Sequence, residues 1–314
     1  MTDPPVAPTR PVASIGWSSA DVAAWERRGE HRTLAGWDVF TLDVPAARVE
    51  VREPLLVLHG FPTSSFDFHR VVDTLAADRR VLLLDLVGFG LSAKPDISYG
   101  FDLYADVVQA FVADAGVTRL AMVTHDIGDT VGGELLARQL EGRWPVEVTH
   151  RTLANGSIYV DMAQLSDAQQ LLLSLPDQRL ADEHLPGTSS PLGESFRAGL
   201  AATFSGQSVV AASELDAAWE LAAHDGGHLL LPRTIRYVEE RRSRERRFTG
   251  AIEAHPSPLS IVWGVDDPIA VVAMAHRLRE AVPSASMILI DAVGHYPMLE
   301  APALFLDAVA SAQR

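Results

Sequence analysis

Five short, nearly all-apolar runs constrain the fold of this chain more than any other feature. Leu55–Leu58 stops at His59-Gly60, Val81–Leu84 at Asp85, and Leu120–Val123 at Thr124-His125-Asp126. Leu259–Trp263 stops at Gly264, and Met287–Ile290 at Asp291. A strand with no polar alternation has no face to offer water, so such runs suit strands covered on both sides. Helical patterns lie between them, at Tyr104–Ala115, Thr130–Leu140 and Ala270–Ala281. Strands alternating with helices predict an α/β fold: a mostly parallel sheet flanked by helices, with ligands at the carboxyl ends of the strands. Upstream, Ser19 is placed to cap a helix over Ala20–Arg28, and Thr33–Val44 alternates around Gly36 as a hairpin does.

The rhythm breaks from about Ser157 to about His255, where no buried-strand run occurs. Helical patterns fill the gap, at Met162–Leu175, Glu194–Phe204, Ser213–Ala223 and Leu231–Phe248. The segment reads as a helical lid inserted between two strands, or as a helical scaffold with no role at the site. The expected organisation is a flexible, proline-bearing tail over 1–14, a core over 15–156 and 256–314, and a cap over 157–255. This division accounts for 314 residues, long for one core and short for two domains.

Composition narrows function by exclusion. Asp and Glu number 41 against 26 Lys and Arg, a net charge of −15, which is the wrong sign for a nucleic-acid binder or an anionic membrane surface. There is no cysteine, hence no thiolate nucleophile and no Cys-ligated metal. The N-terminal residues carry no apolar signal segment, so a cytoplasmic protein is expected, a monomer or homodimer.

The chemistry concentrates at Val123-Thr124-His125-Asp126-Ile127-Gly128-Asp129. An apolar strand runs into a polar residue flanked by small residues two before and two after, and a helix follows. That is the pattern of a nucleophile elbow, a strained strand–turn–helix bend. The central residue is Asp126, and no Gly-x-Ser-x-Gly occurs anywhere in the chain. By itself Asp126 could equally be the N-cap of the next helix. Two later strand ends favour the catalytic reading: Gly264-Val265-Asp266-Asp267-Pro268, and Gly294-His295-Tyr296-Pro297. Nucleophile, acid and histidine then follow the chain order found in α/β-hydrolases. His59-Gly60-Phe61-Pro62 supplies an oxyanion turn, with the backbone N–H groups of Phe61 and Ile127 as its donors. His59 and His125 read as bracing groups, and Phe61-Pro62 as a candidate cis peptide.

With these motifs the chain resembles the epoxide hydrolase and haloalkane dehalogenase branch of the α/β-hydrolases. The likeness runs from Leu55 to Glu300 and includes His59–Ser65, Asp85–Ser92, the Asp126 elbow, Asp267-Pro268 and Gly294-His295. Within that branch it is similar to the mesoderm-specific transcript group. The matching pieces are His125-Asp126-Ile127-Gly128-Asp129, Leu153-Ala154-Asn155-Gly156 and the arginine-rich Arg236–Arg247.

A carboxylate nucleophile suits displacement at an sp³ carbon, because attack on an acyl carbon would give an anhydride. The expected reaction is an alkyl ester formed on Asp126 and hydrolysed by water that His295 activates and Asp267 orients. It needs no metal and no organic cofactor, and its substrate is expected to be a small, apolar organic molecule. The resemblance gives Tyr237 as the ring-opening acid of an epoxide hydrolase, with Tyr159 a weaker second. Dehalogenases of the branch carry a Trp directly after the nucleophile, where Ile127 cannot donate to halide. Trp219 is the one cap tryptophan that could face the site, although core packing explains it as well. A ligand-binding relative without catalysis is the alternative of another class. The charged run Glu239–Arg247 reads as a solvated helix face, and Asp129 as a favourable charge in a first helical turn.

Overall fold

All five apolar runs are strands of one eight-stranded sheet in a computed structural model of the chain, which describes residues 17–49, 52–181, 191–208 and 210–312. The expected tail over 1–14 lies outside the described residues. The strands are β1 Glu30–Leu34, β2 Trp37–Val44, β3 Leu55–Leu58, β4 Val81–Leu84, β5 Arg119–His125, β6 Glu147–Ala154, β7 Leu259–Gly264 and β8 Ser286–Ile290. Their order across the sheet is β1-β2-β4-β3-β5-β6-β7-β8. β2 runs antiparallel to both β1 and β4, and the other pairings are parallel.

The lack of alternation in β3 has the expected cause. Leu56 and Leu58 enter one core while Leu55 and Val57 enter the other, so both faces are covered. The first core packs the helices Phe101–Asp114, Ile127–Leu140 and Val272–Ala281 onto the sheet, and the second packs Ala20–Arg28 and Pro302–Ala312. The Ala20–Arg28 helix is capped by the Ser19 hydroxyl, which accepts the Val22 N–H. The β1–β2 hairpin turns through Ala35 and Gly36, both at positive φ, the combination that matches strand twist in a two-residue turn.

β6 is not among the apolar runs, because four polar residues in succession disguise it. Each finds a local partner or burial. Thr149 donates to the Leu120 carbonyl, and His150 bonds the Ser260 hydroxyl. The Arg151 guanidinium reaches the carbonyls of Ile252, His255 and Ser257 at 2.6, 3.0 and 2.7 Å. A cation at the carbonyl end of a helix is favoured by the helix dipole. Thr152 is buried in the strand itself.

Between β6 and β7 the described residues form helices only: Asp167–Ser174, Pro191–Ala201, Ala212–Ala223, a 3₁₀ stretch His224–Leu230, Leu231–Thr234 and Tyr237–Ala254. The first starts later than its periodicity suggests, because Ser166 and Gln169 form a reciprocal capping box. The last is not suspended over the strand ends. It packs on Ile127–Leu140, where the fully buried Glu134 accepts from Arg247 Nε and from Arg138 Nε at 2.8 Å. Within 157–255, expected as a helical cap, the described helices make two kinds of contact. The early helices cover the strand ends, and the final helix belongs to the layer on the sheet. Among the described residues, no helix is long and apolar enough to cross a membrane.

Candidate active site

β5 delivers Asp126 at the carboxyl edge of the sheet centre, with φ 51° and ψ −113°. A non-glycine residue in this conformation costs about 1–3 kcal/mol and persists only where its surroundings impose it. Here the imposing neighbours are at Gly128, where a Cβ would stand 2.7 Å from the Leu58 carbonyl and 2.8 Å from that of His59. Only a glycine lets the helix start so close to β3. Asp126 sits at the N-cap position, yet its side chain caps nothing. Oδ2 instead accepts the Phe61 N–H at 2.8 Å. The Phe61-Pro62 peptide is cis. The turn is braced by His59, which donates from Nδ1 to the Gly60 carbonyl and accepts the Leu86 N–H at Nε2. Burial lowers the His59 pKa, favouring this neutral tautomer.

The loops after β7 and β8 bring Asp267 and His295 to the same point. His295 Nδ1 donates to Asp267 Oδ2 at 2.8 Å, and Nε2 lies 3.9 Å from Asp126 Oδ1. Asp267 is itself fixed: Oδ1 accepts the N–H groups of Ile269 and Ala270 at 2.7 and 3.0 Å, and Oδ2 also accepts Asn155 Nδ2 at 2.7 Å. Asn155, at the end of β6, accepts the Gly264 N–H as well and so ties three strand ends together. It carries no signature that sequence reasoning could convert into a role, beyond standing at a strand end. His125 holds the histidine loop from below, through a 2.8 Å bond from Nε2 to the His295 carbonyl. Burial opposes the His295 cation, but Asp267, then Asp126 and Glu300, outweigh it and push the imidazole up to about 9.

The remaining residues singled out in the sequence separate. Phe61 and Ile127 flank Asp126, one donating to it and one opening the following helix. Tyr237 is buried with its ring 5.3 Å from that of Phe61, and burial and then the Asp126 charge keep its hydroxyl protonated. Tyr159 does not join them. Its hydroxyl donates to Glu253 at 2.7 Å and Arg277 lies over its ring, so it is turned away from Asp126. Trp219 packs against Phe196 and His228 in the core of the insert. Asp129 is not a surface charge in a helical turn. It is buried, takes the Thr124 hydroxyl on Oδ1 and has no partner on Oδ2, and burial lifts it well above the usual carboxylate range.

Asp126 and His295 open into a cavity of about 150 Å³ whose walls are Phe61, Leu172, Phe196, Leu200, Ile269 and Tyr296, among others. Leu171, largely exposed, stands at its edge. The walls are mostly apolar, with Asp126 and His295 on the core side and Ser166, Gln169, Ser195 and Thr203 from the insert, a layout common in small-molecule sites. No cluster of three or more metal-ligating side chains occurs among the described residues.

This arrangement of sheet, elbow and histidine loop defines a class that the comparisons share. Residues 55–308 match the alpha/beta hydrolase family, and the chain belongs to it. It stands close to the mesoderm-specific transcript hydrolases: it is 30% identical to the human mesoderm-specific transcript homolog protein over 91% of this chain and 85% of that one. It is also 34% identical to LipZ of Mycobacterium tuberculosis, over 94% of this chain and 98% of LipZ. Among solved structures, a haloalkane dehalogenase variant from Bradyrhizobium elkanii superposes with a TM-score of 0.63. That structure is 21% identical, over 90% of this chain and 95% of that one, a likeness of fold alone.

Proposed function

We propose that this α/β-hydrolase is an epoxide hydrolase that works through an alkyl ester on Asp126. The observation that carries the reading is the division of labour between the two oxygens of Asp126. Oδ2 already rests on the Phe61 N–H, while Oδ1 faces His295 across 3.9 Å, too far for a hydrogen bond. Oδ1 is the free nucleophile. It displaces the ring oxygen from an epoxide carbon, and the alkoxide takes the Tyr237 hydroxyl proton, leaving a β-hydroxyalkyl ester.

Oδ2 is then the ester carbonyl oxygen, and it needs no movement to receive the charge of the second step, because its donor is in place. Esterification also removes the Asp126 charge, one of the interactions that favour protonated His295. The imidazolium can then release its proton and serve as base at the moment a base is needed. His295 takes a proton from water, hydroxide adds to the ester carbon, and collapse expels the diol alkoxide. His295 gives that proton to the diol alkoxide and then takes the proton of the Asp126 acid left by the added water, and the Tyr237 phenolate is reprotonated from solvent. The sum is epoxide plus water to vicinal diol.

A haloalkane dehalogenase is the second reading, favoured by the same nucleophile. It lacks side-chain donors for the departing halide. Ile127 is apolar, Phe61 offers only its backbone, and Trp219 is spent packing against Phe196 and His228. A non-catalytic ligand-binding protein is the third, and the alignment of Asp126, His295 and Asp267 gives it no support.

His295→Gln separates the three. Incubated with styrene oxide, a long-chain epoxide and 1-bromobutane, the variant accumulates an epoxide-sized adduct on Asp126, read by intact mass and peptide mapping. A butyl adduct with bromide release gives the second reading instead. No adduct from any of them overturns both covalent readings.

A further inference from the structure

Within the charged run on the final helix of the insert, Arg241 departs from the solvated face that its sequence suggests. Arg241 is 4% exposed. Its Nε donates to the Thr130 hydroxyl at 2.9 Å, its guanidinium carbon lies 4.9 Å over the Tyr237 ring, and Nη2 is buried with no hydrogen-bond partner. Among the described residues it makes no ion pair, although its neighbours Arg244 and Arg247 each make several. Leaving a buried guanidinium without a counter-charge costs several kcal/mol, roughly, unless something supplies one.

The space beside it is a second cavity of about 60 Å³. Ser157 borders it, also 4% exposed, with its Oγ buried and unpartnered. The exposed Arg242 stands at its rim, and Gln164, Gln169 and Tyr237 contribute polar groups. The lining holds two arginines and no acid, in a protein whose net charge is −15. Gln169 and Ile269 border both this cavity and the one over Asp126, so the two spaces adjoin. Asp129 is a candidate counter-ion, since Arg241 favours its charge, but burial outweighs this and lifts it well above the usual carboxylate range.

We infer that the second cavity is a carboxylate subsite, in which Arg241 and Ser157 hold the acidic end of a substrate whose reactive carbon lies at Asp126. With Nε committed to Thr130, the two Nη groups form the free edge of the fork, the edge that meets a planar carboxylate with parallel hydrogen bonds. The Ser157 hydroxyl adds a third donor. The substrate class is then an ω- or mid-chain electrophile on a short acyl chain, with the apolar chain passing Gln169 and Ile269. The Arg241 side chain pre-exists in position, stacked on the Tyr237 ring, so little ordering is needed to bind the acid. This assignment rests on Asp126 as the reacting group only for the placement of the other end.

Binding of unreactive probes tests the subsite without any chemistry. Octanoate and octanamide are titrated calorimetrically into the wild-type protein, Arg241→Gln, Arg241→Lys and Ser157→Ala, each checked by thermal melting. Wild type prefers octanoate by at least tenfold, Arg241→Gln loses the preference, Arg241→Lys keeps part of it, and Ser157→Ala reduces it severalfold. Equal affinity for acid and amide in the wild type overturns the inference, as does a preference that survives Arg241→Gln. Should Arg241→Gln not fold, an acid preference unmoved by both Ser157→Ala and Arg241→Lys overturns it equally. Failure here with an adduct still formed on Asp126 leaves the epoxide reading standing. An acid preference with no adduct does the reverse.

Discussion

The strand-end turns and the helices between β6 and β7 border one cavity, but they treat their polar atoms in opposite ways. In the turns the triad's own contacts are made within the protein, although His125 Nδ1 and Asp129 Oδ2 beside it are buried without a partner. Asp267 accepts from His295, Asn155 and two backbone N–H groups, and Asp126 accepts from Phe61. Across the insert and its junction, Ser157 Oγ and Arg241 Nη2 are buried with nothing to bond. A reaction centre gains from groups fixed before substrate arrives. A recognition surface gains from groups whose partner is the substrate. The difference fits the proposed division, in which the chemistry belongs to the core and the selectivity to the insert.

The largest effect that can break this division is at Asp126. Asp126→Ala should lower kcat/KM by about 10⁴-fold or more, since a removed nucleophile leaves only binding and the oxyanion donors. Steady-state turnover of styrene oxide measures it. Retained activity would move the chemistry off the elbow and end the comparison.

Asp267→Asn comes next, with a loss of about 10²- to 10⁴-fold in kcat, the range for disabling a general base. It also has a signature in pH. His295 is raised from the ordinary 6.5 to about 9 in the folded protein, so the pair's stabilisation is complete below 6.5 and is lost as pH rises through about 9. The wild-type melting temperature should fall over that window and the variant's should fall less. Nitrogen-15 spectra of the ring should show the His295 pKa dropping on substitution, because an anionic neighbour is gone. An unmoved pKa would deny Asp267 its electrostatic role.

Tyr237→Phe is a smaller change and sits on the border between the two regions. Loss of a proton donor to the leaving oxygen should slow epoxide turnover at least tenfold while leaving the melt nearly unchanged. The deficit should grow with the basicity of the leaving alkoxide. Unchanged turnover would return Tyr237 to packing and leave the insert no part in the chemistry.

The same contrast governs what the sequence discloses. Asp126, Asp267 and His295 stand at the ends of apolar runs, so strand periodicity and chain order alone bring them to one edge of the sheet. β6 is hidden because Arg151 and Thr152 look like loop residues until the carbonyls of Ile252, His255 and Ser257 are seen to receive the guanidinium. Arg241 and Arg247 are alike in sequence, in one charged run, yet one is buried against Tyr237 and the other pairs with Glu134 more than a hundred residues away. Helical spacing places both on a cylinder but says nothing of what lies opposite. Long-range partners decide burial, and a single sequence does not carry them. Asp129 is the same case: a first-turn acid by position, but buried by the approach of the turn after β6, where a Cβ on Gly156 would overlap its Oδ2.

Tyr159 gives the smallest and most discriminating effect. It shares chemistry with Tyr237 and lies only a few residues beyond β6, yet its hydroxyl is spent on Glu253 and its ring carries Arg277. Tyr159→Phe should therefore leave kcat/KM for an epoxide within twofold. It should cost about 0.5–1.5 kcal/mol in a urea melt, the worth of one hydrogen bond. A double variant with Tyr237→Phe should then show the Tyr237 deficit and no more, since the two sites share no partner. If instead Tyr159→Phe alone slowed turnover tenfold while the melt stayed put, its hydroxyl would have to leave Glu253 during the reaction. The insert would then supply two acids to the leaving oxygen, and the boundary between chemistry and selectivity would lie inside it.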